Sequence, residues 1–170
     1  MLLGKYMSED LIICNLTSKG KMEVIEEMVE LFVKTGVVKN KEEFCTTIRK
    51  REELESTAIG GGIAIPHGRS NSVKELKVAF ARSKDGVDFK AMDKKPVHII
   101  FMIAAPLKDR KKYLQIVAKI ARLLKSKIMQ EALLKTETPK DVMELIQDFD
   151  KMLIEEIKIK TKKGKIVYRK

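Results

Sequence analysis

The chain has 170 residues, of which 44% are apolar and 35% are charged. This length is typical of one domain with a single core. No apolar run approaches the ~18 residues of a membrane span, and the first residues lack the long apolar segment of a signal peptide. Only two cysteines are present, Cys14 and Cys45, so a disulfide framework is excluded. We therefore expect a cytoplasmic domain that is not inserted in a membrane.

The net charge of +11 is unevenly distributed. Residues 151–170 hold eight basic and two acidic side chains, so they carry +6 of the total. Isoleucines and lysines alternate on both sides of Gly164, which predicts a basic β-hairpin-like extension. The extension has one aromatic residue and no known motif, so nucleic-acid binding is not favoured. We divide the chain into a domain over residues 1–150 and an extension over residues 151–170.

The first half of the chain predicts a strand followed by two helices. Residues 11–15 are a short apolar run typical of a β-strand. Apolar residues then recur at helical spacing up to Gly36, where the helix should stop. Asn40 and Glu43 have the spacing of a capping box that begins a second helix.

Residues 56–70 break this helical periodicity. Their sequence is STAIGGGIAIPHGRS, in which three consecutive glycines at 60–62 precede a short apolar run and a Pro-His-Gly at 66–68. This pattern predicts a loop, a strand and a turn.

The second half adds strands and helices in alternation. Residues 78–82 and 97–104 are apolar runs, and the second is apolar on both faces, as in a central strand. Residues 106–125 predict a helix with a buried stripe formed by Leu114, Val117, Ala121 and Leu124. A last helix should begin at Thr138. The pattern predicts an α/β fold with a mixed β-sheet sandwiched by helices.

The chain has only two histidines, His67 and His98, which limits the chemistry it can perform. They lack clustered partners, so no zinc site is expected. Neither a G-x-S-x-G nucleophile elbow nor a Walker-type phosphate loop is present. We expect neither a metal nor a cofactor. His98 begins an apolar strand and is interpreted as structural.

His67 lies between Pro66, which fixes φ and lacks an amide donor, and Gly68, which permits a sharp turn. A neutral imidazole in such a turn is nucleophilic near pH 7 and can accept a phosphoryl group. Arg51, Arg69 and the amides of the glycine loop are local candidates for binding the phosphate. From these residues alone, a functional and a structural His67 remain open alternatives.

Residues 51–68, REELESTAIGGGIAIPHG, closely resemble the sequence around the active histidine of enzyme IIA proteins of the fructose/mannitol family. These proteins belong to the bacterial phosphoenolpyruvate-dependent sugar phosphotransferase system, and the nitrogen-regulatory enzyme IIA shares their fold. The shared pattern is Arg-Glu, then Ser-Thr, then apolar-Gly, then apolar-Ala-apolar-Pro-His-Gly at fixed offsets. The resemblance extends over about residues 8–150.

The resemblance implies a phosphotransferase component that carries a phosphoryl group. His67 would accept this group from a histidine-containing phosphocarrier protein and pass it to a cysteine of an enzyme IIB. Arg51 would stabilise the phosphoryl oxygens, because loose phosphoryl-transfer transition states depend on placement and charge. The other residues expected to bind phosphate are Thr57, Gly60, Gly61, Gly62, Gly68 and Arg69.

Two positions depart from the family pattern. Ala58 replaces a usual glycine, and a local rearrangement is expected if that position requires a positive φ. Tyr113 falls where many transport-type members have a second active-site histidine, and a tyrosine carries no positive charge near pH 7. The alternative function is therefore a regulatory, nitrogen-type module that binds a target protein under the control of His67 phosphorylation. The extension is expected to stabilise the domain or to contact a second copy in a homodimer.

Overall fold

A six-stranded sheet forms the centre of the protein. The computed structural model describes residues 1–162. The strands are β1 (Ile12–Ile13), β2 (Ala58–Gly60), β3 (Ile63–Ala64), β4 (His67–Arg69), β5 (Lys77–Val87) and β6 (Val97–Ala105). The helices are α1 (Lys21–Lys34), α2 (Lys41–Leu54), α3 (Arg110–Leu124), α4 (Lys127–Leu134) and α5 (Pro139–Lys162). Short 3-10 segments lie at Leu3–Tyr6, Glu9–Leu11 and Leu107–Asp109.

The sheet is mixed, and β6 is its central strand. On one side β6 pairs antiparallel with β5, which pairs parallel with β1. On the other side β6 pairs parallel with β3 and then, further along, with β4. β2 pairs antiparallel with β3. Every residue of β6 except His98 is buried, which confirms the predicted strand that is apolar on both faces.

Helices cover both faces of the sheet. α1 and α2 pack on one face, where Phe32 and Phe44 belong to the core. α3, α4 and α5 cover the other face, where Phe101 and Ile120 belong to a second core. This arrangement confirms the predicted α/β fold with a mixed sheet sandwiched by helices.

Helix α3 buries a different stripe from the predicted one. Ile116, Ile120 and Leu123 are fully buried, whereas Leu114 is 54% exposed. Of the predicted stripe only Leu124 is buried. Both stripes have helical spacing in the sequence, so the periodicity alone does not determine which one faces the sheet.

The prediction of a β-hairpin is wrong for residues 151–162, because α5 continues through them as a helix. Leu153 extends the buried stripe that contains Ile146 and Phe149, at helical spacing. This burial stabilises the helix more than the alternation of isoleucine and lysine favours a strand. The rest of the predicted hairpin, residues 163–170, lies outside the described residues. Although α5 has 24 residues, no helix in the described part of the chain is long and apolar enough to cross a membrane.

The beginning of the chain is attached to α5. Asp150 is buried, and its carboxylate accepts hydrogen bonds from the amides of Leu3 at 2.9 Å and Gly4 at 2.8 Å. Leu3 is fully buried in the same core as Phe149. The N-terminal segment is therefore part of the layer that covers this face of the sheet.

Candidate functional site

His67 is positioned by the central strand of the sheet. It begins β4 and pairs in register with Ile103 of β6. Its Nδ1 lies 2.7 Å from the carbonyl oxygen of Ile65. Because a carbonyl can only accept, we assign the ring proton to Nδ1, and Nε2 therefore keeps its lone pair.

Arg51 of α2 contacts the lone pair of this histidine. Its Nε donates a hydrogen bond to His67 Nε2 at 3.3 Å, and its Nη1 donates to the carbonyl of Glu55 at 2.8 Å. Burial lowers the pKa of His67; the bond to the Ile65 carbonyl opposes this shift, and the charge of Arg51 reinforces it. The ring is therefore neutral near pH 7, with Nε2 as its nucleophilic atom.

Gly68 allows α2 to approach His67 closely. A Cβ at this position would lie 3.0 Å from both Thr47 Cγ2 and Ile48 Cδ1 of α2, so these methyl groups would have to move by a few tenths of an ångström. Arg51 lies one helical turn after Thr47, on the part of α2 that reaches His67. Gly68 is buried beneath α2, and its expected contribution to phosphate binding stays a prediction.

Tyr113 of α3 contacts the His67 ring. The ring centroids are 5.4 Å apart, and the ring planes are inclined at 59°. The guanidinium of Arg69 lies 5.8 Å from the centroid of the Tyr113 ring and donates to the carbonyl of Leu107 at 3.1 Å. Burial raises the pKa of Tyr113, although the charges of Arg51 and Arg69 oppose this shift. The Tyr113 hydroxyl is therefore a neutral hydrogen-bond donor near pH 7.

A cleft of about 470 Å³ opens beside His67. Residues that line it include Arg51, Thr57, Ile59, Gly60, Met92 and Val117. Met92 is 93% exposed and Ile59 is 58% exposed. The cleft thus combines a nucleophilic ring nitrogen and a guanidinium with exposed apolar side chains.

Thr57 is held by a buried carboxylate that the sequence analysis did not identify. Its amide donates to both carboxylate oxygens of Glu52 at 3.2 Å, and its hydroxyl donates to the same carboxylate. Lys21 Nζ lies 2.6 Å from Glu52, whose side chain is 1% exposed. Both Thr57 donors are thus engaged within the protein, so the structure does not present them to a phosphate.

A sequence signal for Glu52 does exist. Phe44, Ile48 and Glu52 are spaced by four residues and therefore share one face of α2. A carboxylate on a buried face requires a partner, because burying an unpaired charge is costly. Lys21 could not be identified as this partner without the structure, since it lies 31 positions earlier in the chain.

The three glycines form the turn between β2 and β3. Gly60, Gly61 and Gly62 all have positive φ values, between 65° and 87°, which favour glycine. The amide of Gly61 donates to Asp93 at 2.9 Å, and the carbonyl of Gly62 accepts from the amide of His98 at 2.8 Å. Only Gly60 of the three lines the cleft beside His67.

Ala58 and His98 have structural explanations. Among the non-glycine residues that the structure describes, only Lys90 and Lys94 have positive φ values, so Ala58 fits β2 without the strain considered from the sequence. His98 Nδ1 lies 2.8 Å from the carbonyl of Ser83. Within residues 1–162, no group of three or more His, Cys, Asp or Glu side chains is arranged to hold a metal ion.

The fold and the site define a class of α/β protein in which a histidine and an arginine lie in contact at a mixed sheet covered by helices on both faces. Residues 5–149 match the family model described as "Phosphoenolpyruvate-dependent sugar phosphotransferase system, EIIA 2". The chain therefore belongs to the EIIA 2 family of the phosphoenolpyruvate-dependent sugar phosphotransferase system.

Two relatives show the extent of the similarity. The chain is 36% identical over 151 residues to the PTS system fructose-specific EIIABC component of Bacillus subtilis, which covers 89% of this chain. The matched region is 24% of the Bacillus protein, so the chain spans about a quarter of that relative. This chain is also 35% identical over 128 residues to the PTS system fructose-specific EIIA component of Haloferax volcanii. The match covers 75% of this chain and 83% of the Haloferax protein.

Solved structures share the fold. Nitrogen regulatory protein IIA-Ntr from Neisseria meningitidis has a TM-score of 0.78 and 29% identity, covering 84% of this chain and 97% of that one. A second solved structure is enzyme IIAMtl of Escherichia coli in complex with phosphorylated enzyme IIBMtl. It has a TM-score of 0.73 and 25% identity, and the match covers 84% of this chain and 97% of that one. The similar proteins thus include both fructose- or mannitol-type phosphotransferase components and a nitrogen regulatory protein.

Proposed function

We propose that this protein is a phosphoryl carrier in which Nε2 of His67 forms the covalent bond to phosphorus. The proposal rests on two contacts made by the imidazole ring of His67. The Ile65 carbonyl fixes the proton on Nδ1, and the Arg51 guanidinium lies 3.3 Å from the unprotonated Nε2. The nucleophile and the charge that stabilises a phosphoryl group are therefore adjacent before any phosphate is bound.

The phosphoryl donor in this proposal is a histidine-containing phosphocarrier protein. The Nε2 lone pair attacks phosphorus, a new N–P bond forms, and the N–P bond of the donor breaks. Its electron pair returns to the donor ring, which carries a proton on its other nitrogen and leaves as neutral imidazole. The His67 ring keeps its Nδ1 proton and becomes cationic, and the Ile65 carbonyl stabilises that cation by accepting the proton in a hydrogen bond.

Arg51 exchanges one acceptor for another during this step. Its Nε donates to His67 Nε2 before transfer, and the incoming phosphoryl group takes over that nitrogen. The released N–H then faces the phosphoryl oxygens, which accept a charge-assisted hydrogen bond. Tyr113 contacts the same ring and can add a neutral hydrogen bond to the phosphate.

The acceptor in the proposed relay is a cysteine thiolate of an enzyme IIB. An S–P bond forms as the N–P bond breaks, and the electron pair returns to Nε2 of His67. The similar E. coli protein that was solved with phosphorylated enzyme IIBMtl supports this direction of transfer. Exposed apolar side chains next to the cleft, including Ile59 and Met92, offer a surface that a protein partner can cover.

A regulatory role is the second candidate, and Tyr113 is the observation that favours it. A tyrosine in place of a second active-site histidine leaves the relay without a second ring that can carry positive charge near pH 7. The similarity to nitrogen regulatory protein IIA-Ntr is consistent with such a change. In this alternative, phosphorylation of His67 controls binding to a target protein instead of supplying an enzyme IIB.

Chemical phosphorylation tests the proposed site without any partner protein. Phosphoramidate transfers its phosphoryl group to imidazole nitrogens, so the folded protein should gain one acid-labile phosphoryl group. His67→Gln should abolish this gain, and His98→Gln, the matched control on the second histidine, should retain it. Intact-mass spectrometry before and after acid treatment provides the measurement. Full labelling of His67→Gln would assign the phosphoryl group to another residue and overturn the proposal.

A further inference from the structure

Glu52 is a buried carboxylate to which the proposed phosphoryl transfer gives no role. Its side chain is 1% exposed, and it pairs with Lys21 and accepts hydrogen bonds from Thr57. Apolar side chains of similar size often stabilise a fold as well as a buried ion pair does, so stability alone does not explain the pair. The contacts of this carboxylate lead instead to the His67 site.

The carboxylate holds the chain where it leaves α2. We call residues 55–57 the anchored segment, because Thr57 donates both its amide and its hydroxyl to Glu52. Lys21 Nζ binds the same carboxylate at 2.6 Å and donates to the carbonyl of Phe89 at 3.2 Å. The acceptor of the anchored segment is therefore itself fixed on α1 and on the chain that follows β5.

The anchored segment presents two carbonyl groups to the site. The Glu55 carbonyl accepts from Nη1 of Arg51 at 2.8 Å. The Thr57 carbonyl accepts from the amide of Ile65 at 3.1 Å, and the Ile65 carbonyl accepts the Nδ1 proton of His67 at 2.7 Å. One carbonyl thus orients the arginine, and the other holds the residue that selects the tautomer of the histidine.

A continuous chain of hydrogen bonds therefore connects Glu52 with His67. From the carboxylate it passes through Thr57 and Ile65 to Nδ1 of the ring. The charge of the carboxylate also reaches the ring: burial lowers the pKa of His67, and the negative charge of Glu52 opposes that shift. A change at the carboxylate should thus be felt at the reacting ring, although the two side chains belong to different elements.

We propose that Glu52 is a positioning residue for phosphoryl transfer, because the segment it anchors orients both Arg51 and His67. This inference deepens the proposed function and rests on it. When Thr57 is released from the carboxylate, the Ile65 carbonyl is no longer held toward Nδ1 of the ring. The ring proton can then also occupy Nε2, the atom that has to attack phosphorus. Transfer should slow, because small displacements of reacting groups are costly.

Two substitutions of Thr57 test this inference without changing any charge. Thr57→Val removes the hydroxyl that binds Glu52 and keeps the shape of the side chain, whereas Thr57→Ser keeps the hydroxyl. Glu52→Gln is the stronger change, because it removes the charge. Leu153→Ala is the control for a general loss of stability, since it removes buried apolar atoms from α5. α5 packs against β1, which lies on the other side of β6 from β4 and His67.

Nuclear magnetic resonance of the ring nitrogens measures the tautomer directly. With isotope-labelled histidine at about pH 8, where the ring is neutral, the unmodified protein should show a protonated Nδ1 and an unprotonated Nε2 at His67. Thr57→Val and Glu52→Gln should move these two resonances toward each other, because two tautomers exchange. Thr57→Ser and Leu153→Ala should match the unmodified protein. His67→Gln identifies the resonances that belong to this ring.

The rate of labelling by phosphoramidate is the second measurement. It should fall about tenfold or more in Glu52→Gln and about threefold or more in Thr57→Val, because the nucleophile and the guanidinium lose their alignment. Thr57→Ser and Leu153→Ala should stay within about twofold of the unmodified protein. Thr57→Val alone decides the test if Glu52→Gln does not fold. Unchanged resonances and rates in Thr57→Val, or equal changes in Leu153→Ala, would overturn the positioning role.

The two measurements separate this inference from the proposed function. The tautomer of His67 is observed without any phosphate, so it reports on positioning alone. Normal labelling of the unmodified protein, together with equally fast labelling of Thr57→Val and Glu52→Gln, would contradict the positioning role only. Failure of the unmodified protein to accept a phosphoryl group on His67 would contradict the proposed function.

Discussion

A single carbonyl determines which nitrogen of His67 can react. The Ile65 carbonyl accepts the Nδ1 proton, and the amide of the same residue donates to the carbonyl of Thr57 at 3.1 Å. Both backbone polar groups of Ile65 thus form hydrogen bonds. The Pro-His-Gly pattern identifies His67 in the sequence, but the tautomer depends on the direction of the Ile65 carbonyl, which only the fold establishes.

Because the pKa of His67 is lowered, we expect the reaction that phosphorylates His67 to proceed even in mildly acidic solution. Burial disfavours the protonated ring, so Nε2 keeps its lone pair below the ordinary histidine pKa of about 6.5. As the pH falls through the lowered pKa, a proton occupies Nε2 and the nucleophile is lost. The rate of labelling by phosphoramidate should therefore begin to fall only below pH about 6.5.

Free N-acetylhistidine in the same assay controls for the pH dependence of phosphoramidate itself. The ratio of the protein rate to the N-acetylhistidine rate should rise as the pH decreases from 8 to about 6, because the free ring is protonated first. A ratio that stays constant or falls over this range would show that burial does not keep His67 neutral.

At the scale of elements, one ion pair joins three segments behind the site. Lys21 at the beginning of α1 pairs with Glu52 near the end of α2, and its Nζ also donates to the carbonyl of Phe89 at 3.2 Å. Ser56 Oγ donates to the same carbonyl at 2.6 Å. The loop that contains Thr57 is thus tied to both helices and to the segment that leads to the cleft residue Met92.

Removal of the Lys21 charge should therefore destabilise the protein. Lys21→Met leaves the Glu52 carboxylate buried without a cation, and breaking a buried pair in this way costs about 3–5 kcal/mol. We expect a loss near 3 kcal/mol in the free energy of unfolding measured with urea, because the two Thr57 donors still bind the carboxylate. Lys19→Met, a change at an exposed residue of the preceding loop, should have little effect.

The double variant Lys21→Met/Glu52→Gln completes the test. If the cost of Lys21→Met comes from an unpaired buried charge, neutralising Glu52 should recover part of it. Equal stability of Lys21→Met and Lys19→Met would show that the pair contributes nothing.

Local signals predicted several elements correctly. Asn40 caps α2 by accepting the amide of Glu43 at 3.1 Å, and Gly36 has the positive φ expected after α1. The buried central strand β6 was also identified, because its apolar run has no polar face. These features depend on residues that are close in sequence.

Features that depend on distant residues could not be predicted. Leu114 and Ile116 both belong to apolar stripes of α3, and only packing on the sheet selects the second. Gly68 stands in a turn-like pattern, yet its neighbours are Thr47 and Ile48 of α2. The site could be predicted in part, because Arg51 and His67 belong to a recognisable motif. Glu52 and Lys21 were missed, because neither is part of the expected chemistry.

On the scale of the whole molecule, α5 contributes to stability beyond the region that matches the family model. Leu153 lies after residue 149, where that match ends, and is 5% exposed in the core. Leu153→Ala should lower the free energy of unfolding by about 2 kcal/mol or more, because it removes buried apolar atoms and leaves a cavity. Met152→Ala, at the adjacent residue that is 49% exposed, provides the control and should cost much less.

Unfolding of Leu153→Ala and Met152→Ala in denaturant measures the free energy of unfolding of each variant. A clear difference supports a helix packed on the domain through Leu153. Similar stabilities of the two variants would place this part of the chain away from the core, in conflict with α5.

The attachment of the first residues to α5 has a consequence for the order in which the chain can fold. The Asp150 carboxylate binds the amides of Leu3 and Gly4, which are 147 and 146 positions away. A nascent chain therefore contains every strand of the sheet before Asp150, which binds Leu3 and Gly4, has been synthesised. Until then the Phe101 face of the sheet lacks its last helix, and the emerging polypeptide presents an apolar surface of the kind that chaperones bind.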